Sequence, residues 1–511
     1  MNLLLDSLLR IETLGGIRFT NLPALLSTLG RGQVVSLLGL QRHQEEAFHV
    51  FLCYLAAAVL AREGEKEPLQ TENFWREGIR RLTGQNDDCA WTLVVEDPTK
   101  PAFMQPPAPT KEAFKKFKPK AVLPDALDLL PTAKNHDVKS SRARLPEPED
   151  WIYALISLQT MSGQFGRGNY GIARMNGGYG SRPVVSLLYD PGLGARWARE
   201  VKVLLSYRPK LLVGPWGYKE NGIVLTWLSP WDFKAGLSLG DLDPFFIEVS
   251  RAVRLVSQVG RILALGCPTE GPRLAAKEAK GLLGDPWIPV NREKNTALTI
   301  GAGGFIPQRL RDLLFEEGFE LSAMQKPDPS RKGESCRFKA SVLVRGQGTT
   351  DGFHEVEIPI PSTVSSRLFS PGPERDKLAE LSKTAINDAG DMQQKVLKPA
   401  IFSLMESGSA KLNFDRREVS QWWRQAAERF RTAWSDDFFS WLWRTIEHPD
   451  EETARYEWLS AIKDKARRVM DDAVDRYPAR IGRRYKARVQ ADDLFNRCLY
   501  RHFQQLKEGR L

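Results

Sequence analysis

Between Ser162 and Pro183 the chain reads Ser-Gly-Gln-Phe-Gly-Arg-Gly-Asn-Tyr-Gly-Ile-Ala-Arg-Met-Asn-Gly-Gly-Tyr-Gly-Ser-Arg-Pro, a glycine-dense stretch with arginines, amides and aromatics and no acid. Glycine lets a backbone adopt positive φ and approach a ligand with no Cβ in the way. Arg167, Arg174 and Arg182 supply donors suited to phosphates or base edges. Nucleic acid is the ligand that such a combination fits. Two further stretches share its chemistry. Lys111 to Lys120 sets Lys115, Lys116, Lys118 and Lys120 around Phe114 and Phe117, a pattern that suits nucleic-acid contact or a solvated face. Ala133 to Arg144 is basic and turn-rich, and Pro146 and Pro148 close it.

Catalytic patterns are thin. The chain lacks Gly-x-x-x-x-Gly-Lys-[Ser/Thr] and His-Glu-x-x-His. Gly301-Ala-Gly-Gly304 reads as a turn, since it opens no helix within a βαβ unit. Asn135-His136-Asp137 and His354-Glu355 are the His/acid neighbours that would serve metal-assisted hydrolysis in a stand-alone nuclease. Cys53, Cys89, Cys267, Cys336 and Cys498 are far apart with no Cys-x-x-Cys pair, which argues against a zinc ribbon and a disulfide framework. His43 and His49 miss the i, i+4 spacing of a helical zinc site.

Elements must hold these loops. Gln41 to Ala61 reads as a largely buried helix, and Pro98 to Pro109 as extended. A short apolar helix, Trp151 to Met161, joins the second basic stretch to the glycine loop, so a rigid element carries a loop at each end. From Val184 to about Thr363 short β-branched runs alternate with Gly and Pro. Ile223 to Leu228, Ala297 to Ile300, Ala340 to Val344 and Val356 to Ile360 read as strands, and Phe245 to Leu265 as an intervening helix.

After Ser370-Pro-Gly-Pro373 the strand signals fade. Four helical segments follow, roughly Glu374 to Met405, Asp415 to Ile446, Glu451 to Arg476 and Ala479 to Leu506, which predicts a four-helix bundle. Trp422, Trp423, Trp434, Phe438, Phe439, Trp441 and Trp443 on the second helix form either its core or a docking face. In the fourth, Arg480, Arg484 and Arg488 recur every fourth residue beside Arg483 and Lys486, with no acid before Asp492. That stripe suits a phosphate backbone, with a solvated face as the alternative.

The expected architecture is therefore α+β: a large mixed α/β N-terminal domain over residues 1–369, followed by an all-α four-helix bundle over 370–511. A chain of 511 residues exceeds one ordinary core, and its net charge of +10 favours an anionic partner without naming one. Composition also points to a reducing cytoplasm, with no membrane span and no secretory signal at Met1 to Leu9.

In order along the chain, several features resemble the large subunit (CasA type) of the type I-E CRISPR Cascade surveillance complex. Met1-Asn-Leu-Leu4 is similar to that family's start, and Ala102-Phe-Met-Gln105 to its Pro-Phe-Met-Gln. Lys134-Asn135 lies where its first DNA-contacting loop begins, Gly180-Ser-Arg-Pro183 resembles its Gly-Gly-x-Pro, and the chain ends in a bundle. The resemblance implies a non-catalytic subunit without cofactor or metal. Its partners would be guide RNA, the other Cascade subunits and double-stranded target DNA. Such a subunit recognises the protospacer-adjacent motif from the minor groove, promotes duplex opening and recruits a helicase-nuclease in trans. By the same resemblance the motif-reading loop falls on Gly166-Arg167-Gly168-Asn169-Tyr170-Gly171, where Arg167 and Asn169 depart from the family. The first loop runs from Lys134 and Asn135 through His136, Val138, Lys139, Ser140 and Arg142. Lys294, with Arg292 second, takes the place of the family's lysine finger. Its wedge glutamine falls near Gly346 to Glu355, where Gln347 comes early and Thr350 or Asp351 stands at the expected position.

Overall fold

The computed structural model of this chain describes residues 1–129, 146–175, 177, 180–346, 349–406, 412–446, 450–476 and 481–507. They fall into two compact units, one of Met1–Phe305, Gly318–Pro329 and Cys336–Pro359, the other of Ile306–Glu317, Ser330–Ser335 and Ile360–Leu511.

The first unit opens with β1 (Leu9–Thr13) and β2 (Gly16–Thr20), then α1 (Leu22–Gly30) and β3 (Val34–Leu37), which give a sheet of order β2-β1-β3. The central element is α2 (Arg42–Glu63). Its Gln41 and Gln44 side chains cap its start reciprocally, and Gly64 ends it in the left-handed region at φ 72°. Every residue from Ala47 to Leu60 is buried, so the apolar run that is long enough to cross a membrane lies inside the core instead. After α3 (Glu72–Thr83), the short helix α4 (Lys111–Phe114), β4 (Lys118–Ala121) and the short helix α5 (Asp125–Asp128) comes α6 (Pro148–Met161). Proline at its start and the Glu147 N–H donating to Asp150 Oδ2 at 2.8 Å fix its N-terminus. It is buried from Trp151 to Met161, as the sequence predicts.

Beyond the glycine loop run β5 (Val184–Leu188) and α7 (Leu193–Leu212), a helix absent from the sequence reading. Gly192, Gly194 and Pro209 obscure it there, but Trp197, Val201, Leu204, Arg208 and Leu211 turn one face inward. β6 (Ile223–Leu225) and β7 (Leu242–Ile247) pair in parallel.

The helix expected over Phe245 to Leu265 does not exist. Its residues form the end of β7, then β8 (Ala252–Gln258) and most of β9 (Arg261–Cys267), with Gln258 opposite Arg261. Val259 at φ 50° and Gly260 at φ 71° make the two-residue turn. The β-branched and aromatic residues that supply the apolar run favour a pleated surface, and the turn pair breaks any helical period.

β4 lies at the edge of that sheet in the order β4-β9-β8. β10 (Val290–Asn291) and β11 (Thr296–Ala297) form a tight hairpin flanked by β12 (Phe319–Glu320). β13 (Cys336–Gly346) pairs with β5 and with β14 (Thr349–Ile360).

The second unit holds α8 (Pro307–Leu314), α9 (Ser362–Leu368) and the helical segments of the bundle. α10 (Pro373–Asp391) passes through a π-helical stretch, Met392–Leu397, into α11 (Lys398–Met405), where Pro399 lacks an N–H to continue a regular ladder. α12 (Arg417–Arg444), α13 (Glu451–Arg476) and α14 (Ile481–His502) complete it. Trp434, Phe438 and Trp441 surround Trp458 with ring centroids at 6.0, 5.7 and 4.7 Å. Trp434, Phe438, Phe439, Trp441 and Trp443 are thus core, whereas Trp422 and Trp423 are half-buried.

Candidate nucleic-acid interface

The glycine loop is closed by its own backbone and anchored to the chain that follows β9. Phe165 N–H donates to Asn169 O (2.9 Å) and Asn169 N–H to Gly166 O (3.1 Å), so Asn169 stabilises the loop through its main chain. Thr269 N–H donates to Gly168 O at 2.9 Å, and Tyr170 Oη–H to Glu270 O at 2.9 Å. Gly168, at φ 79°, is buried against Pro268, where a Cβ would lie 2.6 Å from the proline Cβ. Gly166 has φ 105° with open space around it, and Gly171 packs on Gly163 and Gln164. Only Arg167 is presented at the tip, exposed and with no acidic partner among the described residues.

The expectation that Arg174 and Arg182 donate to a ligand fails. Both are buried. Arg182 Nη2 lies 2.5 Å and Arg174 Nη1 3.5 Å from Asp285 Oδ2, and both guanidiniums stack on the Tyr54 ring. Arg174 also covers Phe246 at 4.0 Å and donates to its carbonyl at 3.0 Å. The acid absent from the loop comes from elsewhere in the fold. Glu248 is a second buried acid here: its Oε1 accepts Ala173 N–H at 2.5 Å. Burial raises its carboxyl to about 7, against the lowering effect of that hydrogen bond and of Arg174 and Arg182.

Beneath the loop lies a group of cations that local sequence gives no reason to associate. Arg251 and Arg345 place their guanidinium carbons 4.8 and 4.4 Å from the centre of the Phe165 ring. Arg251 donates to Gly163 O and Ser250 O, and Arg345 to Asp128 O. Lys120, on the edge strand β4, extends over Gly266, where a Cβ would meet its Cδ at 2.6 Å. Burial lowers Lys120 to about 8, helped by Arg251. Burial likewise lowers Arg251 to about 9, helped by Arg345 and opposed by Glu248, and Arg345 to about 10, opposed by Asp128.

Lys294 and Arg292 sit exposed in the β10–β11 turn, where Lys294 N–H donates to Asn291 Oδ1 (2.8 Å) and Arg292 N–H to Gly318 O (2.9 Å). The returning limb of the glycine loop packs on this region: a Cβ at Gly180 would touch Thr299 Cγ2 at 3.2 Å. At the start of β14, Thr350 Oγ1 reaches Leu129 O at 3.4 Å and Asp351 is exposed. Arg345, near the end of β13, reaches Phe165, so the fold brings the glycine loop against the β13–β14 hairpin, and its returning limb against the chain that follows β11.

Lys115 is exposed and paired with Glu112 at 2.6 Å, Lys116 is exposed, and Phe117 packs with Trp231 and Phe233. Lys134, Asn135, His136, Lys139 and Arg142 lie outside the described residues, as do Val138, Ser140, Gln347 and Arg480.

In the bundle, the α14 stripe, which has no acid of its own before Asp492, is partly paired by Asp492 and by an acid of the preceding helix. Arg488 lies 3.7 Å from Asp492, and Arg484 bonds Val474 O (3.0 Å) and faces Asp475 at 3.4 Å. Arg483 and Lys486 remain exposed.

The nuclease pairing of His354 with Glu355 does not form. As neighbours on β14 they point to opposite faces, and Glu355 is held by Arg42 and by Lys339 at 3.2 Å. One buried trio, His49, Cys53 and Glu200, has ligand atoms within 4.8 Å of one another. Its hydrogen bonds are already made: Glu200 Oε2 meets His49 Nε2 at 2.8 Å and accepts Trp287 Nε1–H at 3.0 Å, while Oε1 accepts Arg196 Nε–H at 3.1 Å. Burial works against the Glu200 carboxylate, yet Arg196 and His49 hold it down at about 2. With a guanidinium already neutralising it, the trio is a poor cation site. All five cysteines are free thiols.

No family model and no curated protein matches the sequence. Solved structures do match the fold. CasA from Thermus thermophilus is 15% identical with a TM-score of 0.61, covering 98% of this chain and 99% of that one. Cse1 from Acidimicrobium ferrooxidans is 15% identical with a TM-score of 0.58, covering 99% and 98%. A chain of a CRISPR RNA-guided surveillance complex is 14% identical with a TM-score of 0.59, covering 97% and 99%. Over nearly its whole length, this chain has the fold of the CasA and Cse1 proteins.

Proposed function

We propose that this chain is the non-catalytic large subunit of an RNA-guided surveillance complex of the type I-E CRISPR kind. In that role it reads a short motif in duplex DNA from the minor groove, helps open the duplex and offers a landing site for a helicase-nuclease. Guide pairing supplies target specificity, so this subunit needs only a shape and a few contacts. The observation that carries the reading is the likeness of fold across both units to CasA, Cse1 and a surveillance-complex chain. It is supported by the narrow loop tip, where Gly166 and Arg167 project and a degenerate groove code favours a backbone that enters over a bulky side chain. Lys294 and Arg292, exposed in the β10–β11 turn, are further cations assigned to DNA in this reading.

The test uses the complex assembled with guide RNA on duplexes with and without the motif. Arg167→Ala and Lys294→Ala should each weaken motif-dependent binding about tenfold, the size of one groove contact. Unchanged binding in both across a salt series removes the assignment.

A further inference from the structure

We propose that Lys120, Arg251 and Arg345 form a phosphate-binding site beneath the glycine loop, filled by one backbone phosphate of the duplex DNA that the loop contacts. The inference rests on the reading of that loop as a DNA contact and names a site outside its exposed tip. Its ground is an imbalance of charge and hydrogen bonding.

Other buried arginines of this unit show what a purely structural guanidinium looks like. Arg254 donates to the carbonyls of Lys100, Val95 and Asp97 at 2.8 to 3.1 Å, and Arg273 to those of Thr226, Ser229 and Pro230 at 2.7 to 3.3 Å. Each leaves Nε alone without a partner. Arg345 is only 4% exposed, yet among the described residues it reaches a single carbonyl and leaves both Nε and Nη1 without a hydrogen-bond partner. Buried donors of a charged group rarely stay unmet, because each forfeits its hydration.

The local acids do not balance the three cations. Asp128, the acid facing Arg345, has Oδ2 engaged by His43 Nε2 at 2.8 Å and Gln44 Nε2 at 2.9 Å, while its Oδ1 has no hydrogen-bond partner among the described residues. Glu248, the acid facing Arg251, takes the Ala173 N–H on Oε1, has Oε2 without a hydrogen-bond partner among the described residues and is shared with Arg174 and Arg182, so two carboxylates stand against three cations. A dianionic or monoanionic oxygen cluster with several acceptors meets what Arg345 and Lys120 lack. Guanidinium forks suit it geometrically. Lys120 is part-exposed on an edge strand and gives the way in, and half-buried Phe165 is the side chain that must shift for an oxygen to reach Arg345.

Two arms test this. In the first, the full-length chain is titrated with inorganic phosphate below 10 mM at constant chloride and followed by thermal unfolding. A saturable rise in Tm is expected, lost in Lys120→Met and in Arg345→Met, with neither variant less stable without phosphate, since each removes a cation with no ion-pair partner among the described residues. A rise that both variants retain, or no saturable rise in the wild type, overturns the site. In the second, the assembled complex binds motif duplex over a salt series. Lys120→Met should reduce the slope of log K against log salt by about one unit, the release of one phosphate's counterion, and leave motif preference intact. An unchanged slope together with phosphate binding in the first arm overturns the DNA occupant and leaves a site for free phosphate. A slope change seen with guide RNA and not with duplex overturns it too. If the wild-type complex shows no motif-dependent duplex binding, the functional reading fails, whereas the first arm still decides the site.

Discussion

Arg167, Arg174 and Arg182 share one loop, and their surroundings give them different work. Arg167 meets solvent, whereas Arg174 and Arg182 converge on Asp285, which also accepts the Trp287 N–H at 2.9 Å through Oδ1. Replacing that acid leaves two buried guanidiniums facing each other. Asp285→Asn should therefore cost about 3–5 kcal/mol, measured by denaturant unfolding. A loss below about 1 kcal/mol would mean that the Tyr54, Phe246 and Trp287 rings alone hold the two cations. No reading of residues 162–183 reveals this arrangement, because the acid stands about a hundred positions further along the chain.

As an element, the loop is held by what a side chain at each glycine would meet. Gly168 combines φ 79° with a Cβ position 2.6 Å from Pro268, whereas Gly166 has φ 105° and open space. Gly166→Ala should cost about 1–2 kcal/mol from backbone strain alone, and Gly168→Ala more, since the Pro268 contact must also yield. Thermal unfolding ranks the two, and limited proteolysis within residues 163–171 should follow the same order. Equal losses would show that Pro268 gives way freely. Glycine density was legible in sequence, but which glycine has open space around it and which packs on the chain after β9 was not. The same limit applies to Phe245 to Leu265, where apolar content was plain and the element type was decided by the Val259-Gly260 turn and by pairing partners on β4.

At the scale of the whole molecule, stability should carry an acid-side signature from Glu248. Its folded pKa of about 7 lies above its ordinary 4.5, so the folded state binds the extra proton between those values. The contribution is full below about pH 4.5 and is lost as pH rises through about 7, a change on the order of 3 kcal/mol. Glu248→Gln should flatten the fall in stability across that window, followed by chemical unfolding at several pH values. An identical profile in the variant would place the titration elsewhere. Sequence by itself determined the buried central helix α2, the helix before the glycine loop and the bundle segments, because apolar periodicity, caps and proline breaks act over a few residues. It also singled out a loop rich in glycine and arginine. Only the tertiary structure decided that one of its three arginines is presented and two are locked. The same holds for the meeting of Arg251 and Arg345 at Phe165, with Lys120 close enough to feel the Arg251 charge. The physical reason is that burial and charge pairing are set by strands and loops distant in sequence, and these determine which cation remains open to a phosphate.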